Sequence, residues 1–333
     1  MLNKCLRPIL AGLFLASVVT AAAAEDKVIL SLQWIPAANH FGIFSAKEEG
    51  FYRDAGLDVE VQRGYGSGES AKRVATGTAD FGIADAAAVI IGRNNGLKVK
   101  QVASLYEKSP NAIFYIKGTG INTLKDMEGR SIGATAGEAS LNLLPILATN
   151  AGFDAKKITI MNVTPSAKYA SLVAKTVDSI VAFTNEAPTI ENAAEKTGQK
   201  IGQFVFSDYG VDYYSLGFIA SDRTIAERPD VVRRFLLATM KGYAWSIKNT
   251  AKAADDYMKN FPESSREITL QQWDAALSLI LSDNVKKNGF GFLEKDKMAE
   301  TLHLIVTSQK LESSLEVTDI FDTRFMPDVK LTD

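Results

Sequence analysis

Short β-rich runs alternate with helical segments along nearly the whole chain, and the alternation stops and restarts twice, near residues 111 and 215. Runs bounded by turn residues predict strands over 28–34, 57–62, 80–84 and 99–105,. Apolar positions at helical spacing predict helices between them over 38–50, 69–76 and 86–93,. A second series has strands over 131–134, 159–162, 179–183 and 203–207, with helices over 124–129, 140–151, 166–174 and 187–196. Strands over 111–117 and 215–220 lie where one series gives way to the other. Beyond 220 the pattern is helical, over 229–250, 252–260, 270–281 and 295–307. Such alternation predicts an α/β fold of parallel sheets covered by helices. Two series, one inserted into the other, predict a two-lobed clamshell with two chain crossings, at 111–117 and 215–220. Residues 25–117 plus 215–333 are expected to form lobe 1, and 118–214 lobe 2.

Residues 1–24 read as a cleavable secretory signal peptide. Lys4 and Arg7 give a positive start, 9–19 a short apolar core, and Ala22-Ala23-Ala24 a small-residue cleavage site,. The apolar run is too short to span a bilayer. The mature protein is therefore expected outside the cytoplasmic membrane, in the periplasm, without membrane insertion. The single cysteine, Cys5, lies within this signal. The mature chain is thus expected to have no disulfide, thiol catalysis or thiolate metal site. Formal charge is −2 for the whole chain, which gives no support for nucleic acid as a partner.

The chemistry-bearing residues are sparse. His40 and His303 are the two histidines, far apart and without the paired spacing of a zinc site,. No G-x-S-x-G elbow occurs, and Gly66-Ser67-Gly68 lacks the lysine ending of a phosphate loop,. These absences favour a binding protein without cofactor or metal over an enzyme.

Open α/β sheets bind ligands at the carboxyl ends of their strands. That rule nominates the loops at 34–40, 65–70, 85–87, 135–140 and 184–188, together with 208–214. They carry Glu69, Asp85, Glu138, Glu186, Asp208 and Asp212 without Lys or Arg. A ligand rich in N–H donors fits them better than an anion. Trp34, Phe41, Tyr65, Phe183, Tyr209, Tyr213 and Tyr214 supply aromatic rings nearby for a flat heteroaromatic molecule, although an aromatic that ends a strand also serves a core,. The glycines of the Gly66-Ser67-Gly68 turn, and Gly137, would let backbone approach the ligand. His40 is open to ligand contact, capping or burial as a bonded imidazole. Glu186 is open to donor binding or to a helix N-terminus, as are Asp85 and Glu138.

Residues 32–36 (Leu-Gln-Trp-Ile-Pro), Asn39-His40, 46–52, 55–59 and 124–133 together resemble the periplasmic solute-binding proteins of ABC importers. Within these they resemble the group of nitrate, sulfonate and taurine binders and thiamine-pyrimidine binders. The W-x-P and Asn39-His40 pattern, Asn185-Glu186-Ala187-Pro188 and 209–213 are similar to the binders of the aminopyrimidine precursor of thiamine. The resemblance implies a type II-like periplasmic-binding-protein clamshell that delivers a small heteroaromatic to an ABC permease at the inner membrane; a monomer is expected. It also implies that Trp34 and Tyr213 flank the ring while Asn39, His40 and Glu186 bond its nitrogens. Sulfonate, nitrate or riboflavin binders of the same fold, and a secreted pyrimidine-acting enzyme, are the alternatives. The eukaryotic relatives that make the pyrimidine carry a cysteine-rich motif, which this mature chain lacks.

Overall fold

The structure, a computed structural model, describes residues 25–330; the expected signal peptide lies outside the described residues. Ten strands form two five-stranded sheets. They are β1 (Asp26–Ser31), β2 (Leu57–Gln62), β3 (Phe81–Asp85), β4 (Val99–Ser104), β5 (Asn111–Ile116), β6 (Ser131–Ala134), β7 (Thr159–Asn162), β8 (Ser179–Phe183), β9 (Ile201–Val205) and β10 (Leu216–Ser221). The first sheet has the order β2-β1-β3-β10-β4 and the second β7-β6-β8-β5-β9.

The sheets are mixed rather than parallel: β10 runs antiparallel to β3 and β4, and β5 antiparallel to β8 and β9. The crossings account for both reversals. A chain leaving β4 at its carboxyl end reaches the second sheet at the carboxyl ends of that sheet's strands, so it must enter running backwards. The return from β9 imposes the same reversal on β10. Strand β5 therefore pairs within the second sheet, whereas the sequence grouped 111–117 with the first lobe. The two crossings lie side by side, joined by backbone bonds from Leu105 N and Tyr106 N to Leu216 O and from Ser215 N to Tyr106 O. Asp212 Oδ1 accepts from Ser109 N at 3.0 Å between them.

Helices Pro229–Lys248 and Thr250–Asn260 return to cover the first lobe, as the late helical periodicity predicts. Arg266–Ile280 packs against both lobes, with Gln272 Nε2 donating to Thr189 Oγ1 of the second at 2.6 Å. Pro229–Lys248 packs against Phe41–Glu48 so closely that a Cβ added to Gly242 would sit 2.0 Å from Gly42 O. Backbone is the obstacle there, so neither helix can yield without losing the aromatic packing around it. Phe235 stacks on Phe81 at 4.1 Å between ring centroids, tying the long helix to β3. Lys295–Ser308 lies against Ala86–Asn94 and also reaches Ala139–Ala151 of the second lobe. Among the described residues, no helix is long and apolar enough to cross a membrane.

Gly242→Ala should lower stability by about 1–3 kcal/mol through overpacking. The check is urea unfolding: the midpoint falls while the slope stays that of the parent.

Candidate functional site

Between the two sheets lies a cavity of about 480 Å³ including its mouth. Gln33, Trp34, Ile35, Ala37, Asn39, His40, Gly66 and Ser67 line it from the first lobe. Glu138, Ala139, Phe183, Asn185 and Glu186 line it from the second. Phe183 ends β8, and every other one of these positions follows the carboxyl end of a strand or opens the next helix, which is where a sheet's loops converge,.

The first-lobe wall is fixed by backbone pairing. Gly64 N bonds Trp34 O at 3.0 Å and Gly66 N bonds Gln33 O at 2.8 Å, so the loops after β1 and β2 brace each other. β1 ends at Ser31, earlier than the predicted 34, and the stretch that follows turns Trp34 toward the second lobe. A 3-10 turn, Ala38–His40, then leads into the helix. His40 is buried, and burial pushes its imidazole down to about 3, so the ring is neutral at physiological pH,. Its Nδ1 accepts from Ala37 N at 3.1 Å, which leaves the hydrogen on Nε2 to meet Gln33 Oε1 at 3.2 Å,.

Gly66 approaches protein rather than empty cavity. Its φ is +139°, and a Cβ there would stand 2.8 Å from Gly137 O of the opposite lobe. Gly68 N also points at Gly137 O, at 3.4 Å. The glycine-rich turn expected to admit a ligand thus lets the two rims touch, and the structure is the closed form of the cleft.

The second-lobe wall carries the carboxylates. Glu138 is buried, with Oε2 on Thr135 N at 2.9 Å and Oε1 on Lys168 Nζ at 2.8 Å. Burial pushes its carboxyl up, with Lys168 opposing the shift. Glu186 accepts from Phe183 N at 3.1 Å and from the Tyr169 hydroxyl. Adjacent residues at the start of helix Lys168–Val173 therefore hold both cavity carboxylates. Lys168 Nζ also lies 4.2 Å from the centroid of the Trp34 ring, across the cleft. The cleft is thus less acidic than its loops alone imply. Lys168 and Tyr169 escaped the sequence reading because the loop after β7 was not counted among the post-strand loops; the same rule applied there finds them. Asn185 was also missed as a site residue. Its buried Oδ1 makes no hydrogen bond, and Trp34 Nε1 is likewise unbonded although it lies toward Tyr169.

Seven of the nine expected site residues, Trp34, Asn39, His40, Gly66, Ser67, Glu138 and Glu186, share this cavity wall. Asp85 and Tyr213 do not line it. Asp85 caps helix Ala86–Asn94 through Ala87 N at 2.8 Å and accepts from Tyr213 OH at 2.9 Å and Ser215 Oγ at 2.6 Å. Asn111 Nδ2 donates to that tyrosine oxygen at 3.1 Å, and Ser140 Oγ bonds Asn111 Oδ1. This buried chain joins both crossings to a helix start in each lobe. Tyr213 is spent there, and the second ring on the cavity is Phe183. Of the six acidic residues expected in these loops, Glu138 and Glu186 are the ones on the wall; Asp212, for instance, pairs with Lys297 at 3.2 Å.

Burial pushes the Asp85 carboxyl up to about 6 from an ordinary 3.8, its hydrogen bonds offsetting part of the cost. The folded state then holds the proton more tightly than the unfolded chain. Stability present below pH ~4 is lost as pH rises through ~6, on the order of 3 kcal/mol from this group. Urea unfolding from pH 4 to 7 checks this: Asp85→Asn should lack that part of the decline.

The NMT1/THI5-like family model matches residues 37–253. A formylaminopyrimidine-binding protein of Halalkalibacterium halodurans is 26% identical over 328 residues, covering 96% of this chain and 98% of its own. A 4-amino-5-hydroxymethyl-2-methylpyrimidine phosphate synthase of Legionella pneumophila is 23% identical over 322 residues, covering 94% and 96%. Among solved structures, the alkanesulfonate-binding protein SsuA of Xanthomonas axonopodis pv. citri superposes with a TM-score of 0.70 at 14% identity, covering 91% of this chain and 100% of that one. That likeness concerns the fold, a periplasmic-binding-protein clamshell.

Proposed function

The chain belongs to the NMT1/THI5-like family, and on that footing we propose that it is the substrate-binding component of an ABC importer, capturing an aminopyrimidine precursor of thiamine outside the cytoplasmic membrane. One observation carries the ligand choice: the unbonded, buried Asn185 Oδ1 stands beside Glu186 on a cavity walled by Trp34 and Phe183. A buried acceptor without a donor is costly, and a ligand N–H removes that cost. An aminopyrimidine brings amino hydrogens in the plane of a flat ring, with apolar faces for the two aromatic walls. A sulfonate brings only acceptors to a wall that holds Glu186, and the lysine nearest to it is already paired with Glu138.

The same wall favours capture over conversion. Both ring nitrogens of His40 are engaged within the protein, so the histidine has no free nitrogen for proton transfer,. Capture between the lobes and closure would give the permease a shape by which to tell loaded protein from empty. This reading keeps the expected periplasmic location and the small-molecule and permease partners, with the protein acting as a monomer.

A thermal-shift series tests the assignment. At 100-fold excess over Kd, linkage gives about 2.7 kcal/mol of stabilisation. A shift with 4-amino-5-hydroxymethyl-2-methylpyrimidine and none with taurine is expected, and the bound molecule should be recovered unchanged after denaturation. A response to taurine alone, or recovery of a converted product, would overturn it. Asn185→Ala should weaken aminopyrimidine binding about three- to tenfold, the worth of one ordinary hydrogen bond, at an unaltered ligand-free melting temperature.

A further inference from the structure

We infer that Lys168 helps to hold the cleft shut over its ligand, acting on Trp34 as a positioning group rather than touching the ligand itself. Its side chain is 1% exposed and its ammonium is fixed on Glu138 at 2.8 Å, within its own lobe. From that anchorage it reaches over the Trp34 ring, 4.2 Å from the centroid, which belongs to the opposite lobe. Lysine is absent from the cavity wall itself, while both of its partners are on it. A cation over an indole is attracted most strongly where water is excluded, and both side chains of this contact are buried. It also spans the cleft, so it exists only while the lobes are together.

A contact of that kind has a recognisable signature. A side chain that bonds the ligand discriminates among ligands. One that stabilises the closed form lowers the apparent Kd of every ligand that needs closure by the same factor. The strength of cation–π contacts puts that factor between about twofold and thirtyfold. The inference rests on the capture reading above for its ligands, but the position of the lobes in the free protein reads out Lys168 without any ligand.

The test compares the full chain with Lys168→Met, Lys168→Arg and the double variant Glu138→Gln/Lys168→Met. The double variant removes both buried charges, so that no stranded carboxylate confuses the result if Lys168→Met fails to fold. Calorimetric titration with 4-amino-5-hydroxymethyl-2-methylpyrimidine and with a formylaminopyrimidine should show both affinities falling by one common factor, restored by Lys168→Arg. X-ray scattering should show the ligand-free methionine variants with a larger radius of gyration than the parent. Unequal factors for the two pyrimidines would make Lys168 a ligand contact and overturn the inference, as would unchanged affinity and radius in the double variant. If the parent binds neither pyrimidine, the ligand assignment fails and the scattering comparison still decides the role of Lys168.

Discussion

The two passages of the chain between its sheets are the constraint from which the rest follows. Each forces the incoming strand to run against its neighbours, which makes β5 and β10 the antiparallel members of otherwise parallel sheets. Because both crossings leave from carboxyl ends, those ends face each other, and every loop that could recognise a ligand lies in one cleft. The crossings are also where a polar chain from Asp85 through Tyr213 and Asn111 to Ser140 is buried. Unmatched, any of these groups would cost more than its bond contributes. The hinge is therefore specified by hydrogen bonding, while the lobes on either side are specified by apolar packing.

Charge in the cleft is arranged so that two carboxylates can be buried there. Glu138 is met by a cation and Glu186 by a phenol. The first pair is close to neutral as a unit and the second remains an acceptor-rich edge. Adjacent side chains on one helical turn can serve two different partners because they diverge by about 100° around the axis. The same short helix thus sets the electrostatics of the cavity and, through Lys168, reaches across to the facing lobe. Two consecutive residues therefore hold both cavity carboxylates and bridge the cavity to the facing lobe.

Much of this was legible in the sequence. β2, β6, β7 and β8 fall where the alternation of β-rich runs and turns places them, and the carboxyl-end rule finds seven wall residues before any coordinates are considered. What it missed has physical causes. Strand direction was missed because alternation reports that strands exist, not which way each runs after a crossing. The resemblance sets Tyr213 against the ligand ring, and the sequence shows its aromatic character while its hydroxyl partner is not visible. That partner, Asp85, is 128 residues away in sequence. The glycines at 66 and 137 suggest room for a ligand, yet what Gly66 admits is the backbone of Gly137, while Gly137 itself is set by its positive φ of +82°. Small size signals close approach, and sequence does not name what approaches.

That distinction bears on how one fold serves different ligands. Contacts that span the cleft include Gly66 against Gly137, Lys168 over Trp34 and Gln272 Nε2 on Thr189 Oγ1, and these engage protein atoms alone. The wall atoms without a hydrogen bond inside the protein are few: the Asn185 oxygen and the Trp34 indole nitrogen, beside Glu186 and two aromatic rings. If closure and recognition are carried by separate residues, ligand choice can change through the second set while the first keeps the shape a permease must read. Two relatives at similar identity to this chain, one named a binding protein and one a synthase, fit such a separation. Under that separation, chemistry would be set by the handful of polar atoms at the bottom of the cleft.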